Sequence, residues 1–301
     1  MILNNDYIGR FAPSPTGPLH FGSLVAAVGS YLESKTRKGK WLLRIEDIDP
    51  PREVKGATKS IIKTLEQFGF EWDDNITYQS RRYEIYQDYI DKLIHRSLAY
   101  SCGCSRKEIA AIASRSSNGL IYPGTCRKGL GNKQPRSVRL LTENIEIHFN
   151  DLVQGKITQD LEIESGDYVI KRADGLYAYN LAVVIDDHLS GITDIVRGYD
   201  LLPCTCQHIY LQRILHFDTP NYTHLPIAIN ESGQKLSKQN LAKEVNAAQK
   251  VKHLFNALTF LNQNPDPQLL ESDLGSIWKW AIENWSIKPI RGIKEKPAID
   301  D

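Results

Sequence analysis

The apolar residues first bunch into a short run, Tyr7 to Ala12, which stops at Pro13, Pro15, Gly17 and Pro18. The run predicts a strand and the proline-rich stretch a stiff loop. Leu24, Val25, Val28, Tyr31 and Leu32 then recur at helical spacing, while Gly22, Ala26 and Gly29 leave little bulk on the same helix. Strand, loop and bare helix start make a phosphate site, because first-turn N–H groups and the helix dipole favour an anion. His20 stands at that start. Alone it would merely cap the helix; in this setting its ring can donate to a phosphate oxygen.

The pattern continues along the chain. Trp41 to Ile45 reads as a buried strand after a basic turn, and residues 57–68 and 81–98 as amphipathic helices. Tyr83 and Tyr86 fall on the apolar face of the second helix and are expected to pack. Ser105 and Glu108 form a capping box for a helix reaching about Ser114, and Asn118-Gly119 marks a turn. Residues 137–165 alternate weakly, as short strands do. Ala173-Asp174-Gly175 signals a hairpin between Tyr168–Arg172 and Leu176–Ala182. A further apolar run, Ile192 to Val196, closes on Arg197, and His224 to Asn230 reads as a strand. Val251, Leu254, Phe255, Leu258 and Leu261 line one helix, and Leu274 to Trp285 another. The tryptophans there read as core, and Lys288 to Asp301 as a mobile tail.

Composition narrows the class. The 301 residues suit one large domain with a smaller appendage, and a net charge of +1 gives no global field that would draw the chain onto nucleic acid. Any RNA contact must then be local. No basic start leads into an apolar signal segment, and no run of about 18 apolar residues occurs, so a soluble, cytosolic protein is expected. Five cysteines in short C-x-C pairs argue for free thiols or metal rather than disulfides.

The candidate chemistry sits at the ends of the apolar runs. Glu46, Asp47 and Asp49 follow the Trp41–Ile45 strand, where a carboxylate can face the same crevice as His20. Asp49 also suits the start of the next helix. The planar fork of Arg197 suits a substrate carboxylate, with Tyr179 adding a hydrogen bond; an ion pair to Asp200 or Asp187 explains Arg197 equally well. Cys102 and Cys104 can chelate one ion and Cys126 can add a third sulfur, but tetrahedral zinc needs a fourth ligand. Cys204 and Cys206 compete for that place, although they open a predicted helix, where residues two apart face different ways. Arg127, Lys128, Lys133, Arg136 and Arg139 form a basic loop that is either solvated surface or an RNA-backbone contact.

Four strings carry a resemblance. Pro13 to Gly22, Pro-Ser-Pro-Thr-Gly-Pro-Leu-His-Phe-Gly, resembles the HIGH motif of class I aminoacyl-tRNA synthetases in its glutamyl and glutaminyl form, with Ser23 in place of the second histidine. Arg44 to Arg52 is similar to the R-I-E-D-T-D-P-x-R string of glutamyl-tRNA synthetases. Tyr179 to Asp187, with Gly191-Ile192-Thr193 and Arg197-Gly198-x-Asp200, resembles the same enzymes, and Lys235-Leu236-Ser237-Lys238-Gln239 is similar to KMSKS. The resemblance implies that Arg10, Phe11, Ala12, Pro13, Ser14, Glu46, Tyr179 and Arg197 surround a glutamate, with Glu46 on its ammonium. It also implies that His20, Gly22, Lys235, Ser237 and Lys238 meet ATP, His20 and Lys238 acting in catalysis. The C-x-C and Tyr-x-x-x-Cys pattern resembles the zinc insertion of a truncated branch of this family, which implies Tyr122 as the fourth ligand beside Cys102, Cys104 and Cys126. A phenolate ligand is unusual chemically, since the phenol pKa of about 10 must be pulled down by the metal.

The fold so implied is α/β: a class I synthetase Rossmann-like doubly wound parallel sheet with a zinc-binding insertion and a small C-terminal helical region. The expected layout is the first half of the catalytic domain over 1–100 and the zinc insertion over 101–136. The rest of the insertion and the second half, with the KMSKS-like loop, fill 137–240, and the helical region and tail 241–301. A full glutamyl-tRNA synthetase continues into an anticodon-reading domain, and no such segment is recognised in the sequence. The truncated branch activates glutamate with ATP and Mg²⁺ and transfers it to queuosine in the anticodon of tRNA(Asp), so these partners, one structural zinc and a monomer are expected. A minimal conventional synthetase acting on a tRNA 3′ end stays open, as do another nucleotidyltransferase and a weakly catalytic RNA-binding relative.

Overall fold

The computed structural model describes residues 7–116, 119–236 and 243–299. Strand β1 (Ile8–Phe11) leads into helix α1 (Phe21–Thr36), and β2 (Lys40–Ile45) returns parallel to β1, with Gly9 opposite Trp41. Helix α2 (Ala57–Gln67) then connects to β3 (Asp73–Tyr78), parallel to β2. After α3 (Tyr83–His95) the chain enters β4 (Ala99–Cys102), α4 (Arg106–Ile112) and a small hairpin of β5 (Ser114–Ser116) and β6 (Gly119–Ile121). The turn expected at Asn118-Gly119 involves Asn118, which lies outside the described residues. β7 (Ser137–Leu140) pairs antiparallel with β4, and β8 (Glu146–Asp151) with β9 (Gly155–Asp160). A short α5 (Leu161–Glu164), β10 (Val169–Lys171), which joins β7, and α6 (Tyr179–Leu189) follow. Next come β11 (Asp194–Gly198), α7 (Thr205–Leu215), β12 (Asn221–Leu225) and β13 (Ile227–Ile229). Helices α8 (Lys250–Phe260) and α9 (Leu274–Asn284) precede β14 (Glu295–Pro297).

The strands order as β1-β2-β3 and β11-β12-β8-β9, with β11, β12 and β8 parallel. The two groups meet between β1 and β11, where Thr193 N–H donates to the Ile8 carbonyl at 3.0 Å. The chain therefore leaves β1 towards β2 on one side and returns on the other, the doubly wound layout expected. In such sheets the ligand crevice opens beyond the strand ends at this reversal. Helix α1 bridges the two groups, and Gly29 is required there: a Cβ would lie 2.4 Å from Leu225 Cδ1.

One apolar core packs α1, α8 and α9 around Trp41 and Trp278; a second packs α3, α6 and α7 on the other part of the sheet. Trp278 Nε1–H donates to the Phe68 carbonyl at 2.9 Å, and Trp285 Nε1–H to Glu33 at 2.7 Å; Trp278 is core as read, whereas Trp280 and Trp285 are half-buried and pack against the core. Among the described residues no helix is long and apolar enough to cross a membrane.

Two expectations change. The Asp174-Gly175 turn exists, with a bridge between Lys171 and Tyr177, but residues from Tyr179 onward form helix α6 and not the return strand. Leu181 to Asp187 are buried all round, and a helix buried on every side lacks the periodicity that separates it from a buried strand. The tail is also not loose: Ile290 is fully buried, β14 runs parallel to β13, and Lys296 Nζ donates to the Phe260 carbonyl and to Asn262, both at 2.6 Å. Pro297 is tolerated because it closes an edge strand.

Candidate active site

The phosphate side is built by the turn into α1. His20 is the helix N-cap, in extended backbone, and its Nδ1 accepts from Ser23 N–H at 3.4 Å. In the neutral ring the proton then sits on Nε2. The first turn carries no acidic residue, and it opens on a cleft of about 730 Å³ lined by His20, Gly22 and Ser23. The same cleft is lined by Arg10, Phe11, Ala12, Pro13, Ser14, Glu46, Tyr179, Arg197 and Lys235, so residues far apart in sequence converge as anticipated. Ser237 and Lys238 lie outside the described residues. The chain on either side is fixed at this cleft: Leu236 N–H donates to Ala228 at 2.8 Å, and Val245 N–H to Leu19 at 3.0 Å. Lys235 is ion-paired with Asp200 at 2.5 Å.

The opposite wall holds a buried charge network. Arg10 meets both oxygens of Asp187, at 3.0 and 3.3 Å, and Arg44 meets Asp187 at 2.6 Å and Glu46 at 3.2 Å. Burial alone would raise the Asp187 carboxyl, but the two guanidinium groups hold it at about 2. Burial pushes the Glu46 carboxyl up against the pull of Arg44 and Arg10, so an arriving cation would favour its charged form. Arg44 and Asp187 were not singled out in the sequence as site residues. Their signal was present: each lies next to an apolar run, two residues from Glu46 or adjacent to Asp186. Asp49 stands where it was placed, at the start of the 3-10 turn Pro50–Arg52, paired with Arg52 and with Arg172.

Arg197 resolves the open question of its partner. It pairs with neither Asp200 nor Asp187, and among the described residues no carboxylate lies within ion-pair distance of it. Only 5% of the residue is exposed. Its Nε–H donates to His224 Nε2 at 3.0 Å; Nη1 faces Tyr179 Oη at 3.4 Å and His208 Nδ1 at 3.3 Å; Nη2 donates to the Leu201 carbonyl at 3.2 Å and Thr205 Oγ1 at 2.7 Å. All these acceptors are neutral. Burial and the nearby Arg197 charge push His208 well below its ordinary value, and burial pushes His224 down to about 4. A buried cation with only neutral partners, open to a cleft, is poised for an anion.

The cysteines form a second, separate cluster. Cys102, Cys104 and Cys126 are buried with sulfurs within 4.8 Å of one another. The Tyr122 phenol lies 3.3 Å from Cys102 Sγ and 3.7 Å from Cys104 Sγ, and accepts from Cys126 N–H at 2.9 Å. Its oxygen is thus in contact with all three cysteines. Burial and the three thiols push its pKa up, so only a bound cation would make it a phenolate. Cys204 and Cys206 stand apart: their sulfurs contact the carbonyls of Leu201 and Ile147.

The basic loop is largely spent internally. Arg127 pairs with Asp167 and Glu162, Lys133 with Glu108, and the Arg139 guanidinium lies 3.8 Å from the centre of the Tyr122 ring. Lys128 and Arg136 are exposed and, among the described residues, have no carboxylate within ion-pair distance. They are the members of the loop left to face a polyanion.

Known proteins share this arrangement. Residues 8–262 match the family of class I tRNA synthetases (E and Q), catalytic domain. The chain is 50% identical over 291 residues to a glutamyl-Q tRNA(Asp) synthetase of Dechloromonas aromatica, covering 96% of this chain and 97% of that protein. It is 48% identical to one of Chromobacterium violaceum, covering 96% of this chain and 97% of that protein. Among solved structures, a glutamate tRNA ligase of Elizabethkingia meningosepticum in complex with its amino acid superposes with a TM-score of 0.73 at 25% identity, over 97% of this chain and 67% of that one. The glutamate-tRNA synthetase of Elizabethkingia anophelis gives 0.66 at 30% identity, over 78% of this chain and 53% of that enzyme, so the chain spans about half of its length. The chain belongs to the class I tRNA synthetase family of the glutamyl and glutaminyl type, and within it to the glutamyl-Q tRNA(Asp) synthetases.

Proposed function

We propose that the protein activates L-glutamate with ATP and transfers the glutamyl group to queuosine in the anticodon of tRNA(Asp), acting as a monomer. The observation that carries the glutamate assignment is Arg197, a buried cation without a carboxylate partner, lining the same cleft as Glu46 and His20. An amino acid with a second carboxylate complements this set: Glu46 takes the ammonium, and Arg197 with Tyr179 a carboxylate. Arg10, held by Asp187, adds positive potential beside them.

In the first step a glutamate carboxylate oxygen attacks the α-phosphorus of ATP, the bond to the bridging oxygen breaks, and pyrophosphate leaves. No protein nucleophile takes part. Catalysis is positioning plus stabilisation of spreading negative charge, by the His20 ring, the α1 N-terminus, Lys235 and, following the family motif, Lys238. Mg²⁺ bound with ATP would supply further shielding of phosphate charge. In the second step a hydroxyl of the modified base attacks the acyl carbon and AMP leaves. Cys102, Cys104, Cys126 and Tyr122 would hold one zinc ion, which cross-links the insertion and takes no part in the chemistry.

The test is incubation with ATP, labelled glutamate and either tRNA(Asp) carrying queuosine, tRNA(Asp) carrying guanine at that anticodon position, or tRNA(Glu). Label on the queuosine tRNA alone is expected. Label on a tRNA(Glu) 3′ end, lost in mild base, would make this a minimal conventional synthetase instead.

A further inference from the structure

We infer that His224 and Asp151 are positioning residues for Arg197: they fix the imidazole tautomer that accepts from Arg197 Nε–H and so aim the guanidinium at the substrate carboxylate. The inference rests on the glutamate-binding role proposed above for Arg197.

A guanidinium only donates, so His224 Nε2, 3.0 Å from Arg197 Nε, must be unprotonated. The ring proton is therefore on Nδ1, where it donates to Asp151 Oδ2 at 2.6 Å. Asp151 is itself held. Its Oδ1 accepts from the N–H groups of Val153 at 3.0 Å and Gln154 at 2.8 Å, and the His224 N–H is shared between Oδ1 at 3.2 Å and Oδ2 at 3.1 Å, so the carboxylate is held in place. Burial would raise this carboxyl, but the His224 ring and the Gln154 and His224 amides keep it below the usual range, and it stays charged. Three elements thus form a chain from the β8–β9 turn through β12 to Arg197 at the end of β11. The imidazole cannot be replaced by an arbitrary polar group, because it must accept on one edge and donate on the other.

This geometry predicts an unusual effect for Asp151→Asn. The new amide NH₂ would face the Val153, Gln154 and His224 N–H groups at the place of Oδ1 but only the shared His224 N–H at that of Oδ2, so it takes the place of Oδ2. There it donates to His224 Nδ1, which drives the ring proton to Nε2, where it can reach Thr205 Oγ1 at 3.2 Å but leaves no acceptor for Arg197 Nε–H. Losing a hydrogen bond to a charged group and gaining a donor–donor contact should raise the glutamate KM by roughly 10-fold or more. The residues proposed for ATP, His20 and Lys235, line the phosphate side of the same cleft, so the ATP KM at saturating glutamate should stay near wild type.

His224→Gln and His224→Asn give an independent comparison. Glutamine reaches far enough to put an acceptor where Nε2 was, whereas asparagine reaches only the Nδ1 position and leaves Arg197 Nε–H unmet. The glutamate KM is expected to rise at least about 10-fold in the asparagine variant and no more than about 3-fold in the glutamine variant. The experiment is glutamate-dependent pyrophosphate exchange on wild type, D151N, H224Q, H224N and R197A. It is paired with ¹⁵N-histidine spectra of the wild type and D151N, which report the tautomer. Nδ1–H in the wild type, Nε2–H in D151N and the asparagine–glutamine split are the expected result. A wild-type His224 that is Nε2–H or charged at pH 7, or equal KM values for H224Q and H224N, overturns the inference. An unchanged glutamate KM in R197A overturns the underlying assignment of the site instead, which separates the two failures.

Discussion

Lys235 and Asp200 form an ion pair at 2.5 Å on the rim of the cleft, with side chains 45% and 30% exposed. In the role proposed for Lys235, ATP would have to draw the ammonium away from that carboxylate. A half-exposed pair is worth only about 0–1 kcal/mol. Asp200→Asn should accordingly lower the ATP KM by a factor of up to about 5, because that is the factor about 1 kcal/mol represents. Pyrophosphate exchange against ATP concentration checks it, and an ATP KM that rises instead would give Asp200 a direct part in binding ATP.

In the reaction proposed above the His20 ring and the α1 N-terminus would face the same phosphates, so their contributions should separate by mutation. His20→Ala removes one preorganised donor but leaves the helix dipole, and the activation rate is expected to fall roughly 10²-fold with little change in glutamate KM. With Ser23 in place of a second histidine, no other imidazole stands in this turn to compensate. A loss below about threefold would leave the phosphates to the backbone and lysines alone.

The Cys–Tyr cluster makes a prediction about metal that needs no activity assay. One zinc per chain is expected by native mass spectrometry, lost on Cys104→Ser or Cys126→Ser. Tyr122→Phe keeps the three thiols but removes the fourth oxygen and the acceptor for Cys126 N–H, so zinc retention against a chelator should weaken by at least about 10-fold. Full retention in that variant would exclude the phenol from the ligand set.

What could be read in advance, and what could not, divides by locality. The HIGH-like turn, Glu46, Tyr179 and Arg197 were legible because each sits at the end of an apolar run or inside a contiguous motif, where strand ends in a doubly wound sheet point into one crevice. The partners of Arg197 were not, because His224, His208 and Thr205 come from β12 and α7, and Asp151 behind them from β8. Nothing in local spacing announces that these side chains meet. Helix α6 was misread for a different reason: burial on all sides erased its period. The ordering of residues 288–297 was missed because prolines mark the absence of helix, not the absence of a strand.

The buried histidines also fix how stability should depend on pH. His224 falls from its usual 6.5 to about 4, and His208 lies well below its usual value, so the folded protein holds both neutral while the unfolded chain protonates them. Between pH 6.5 and about 4 the unfolded state therefore binds more protons, and stability is complete above 6.5 and is lost as pH falls through that window. For His224 the drop from 6.5 to about 4 corresponds to roughly 3 kcal/mol. Glu33 and Glu46, raised by burial, act in the opposite sense, because the folded state then takes up protons more readily as the pH drops. Asp187, held at about 2, contributes stability that is intact above its usual 3.8 and is lost only as the pH falls from there towards 2. The contribution of His224 is isolated by difference: thermal melts of wild type and H224Q should differ in slope between pH 6.5 and 4, with the variant flatter. Parallel curves would mean that the His224 imidazole is protonated as readily in the folded chain as in the unfolded one.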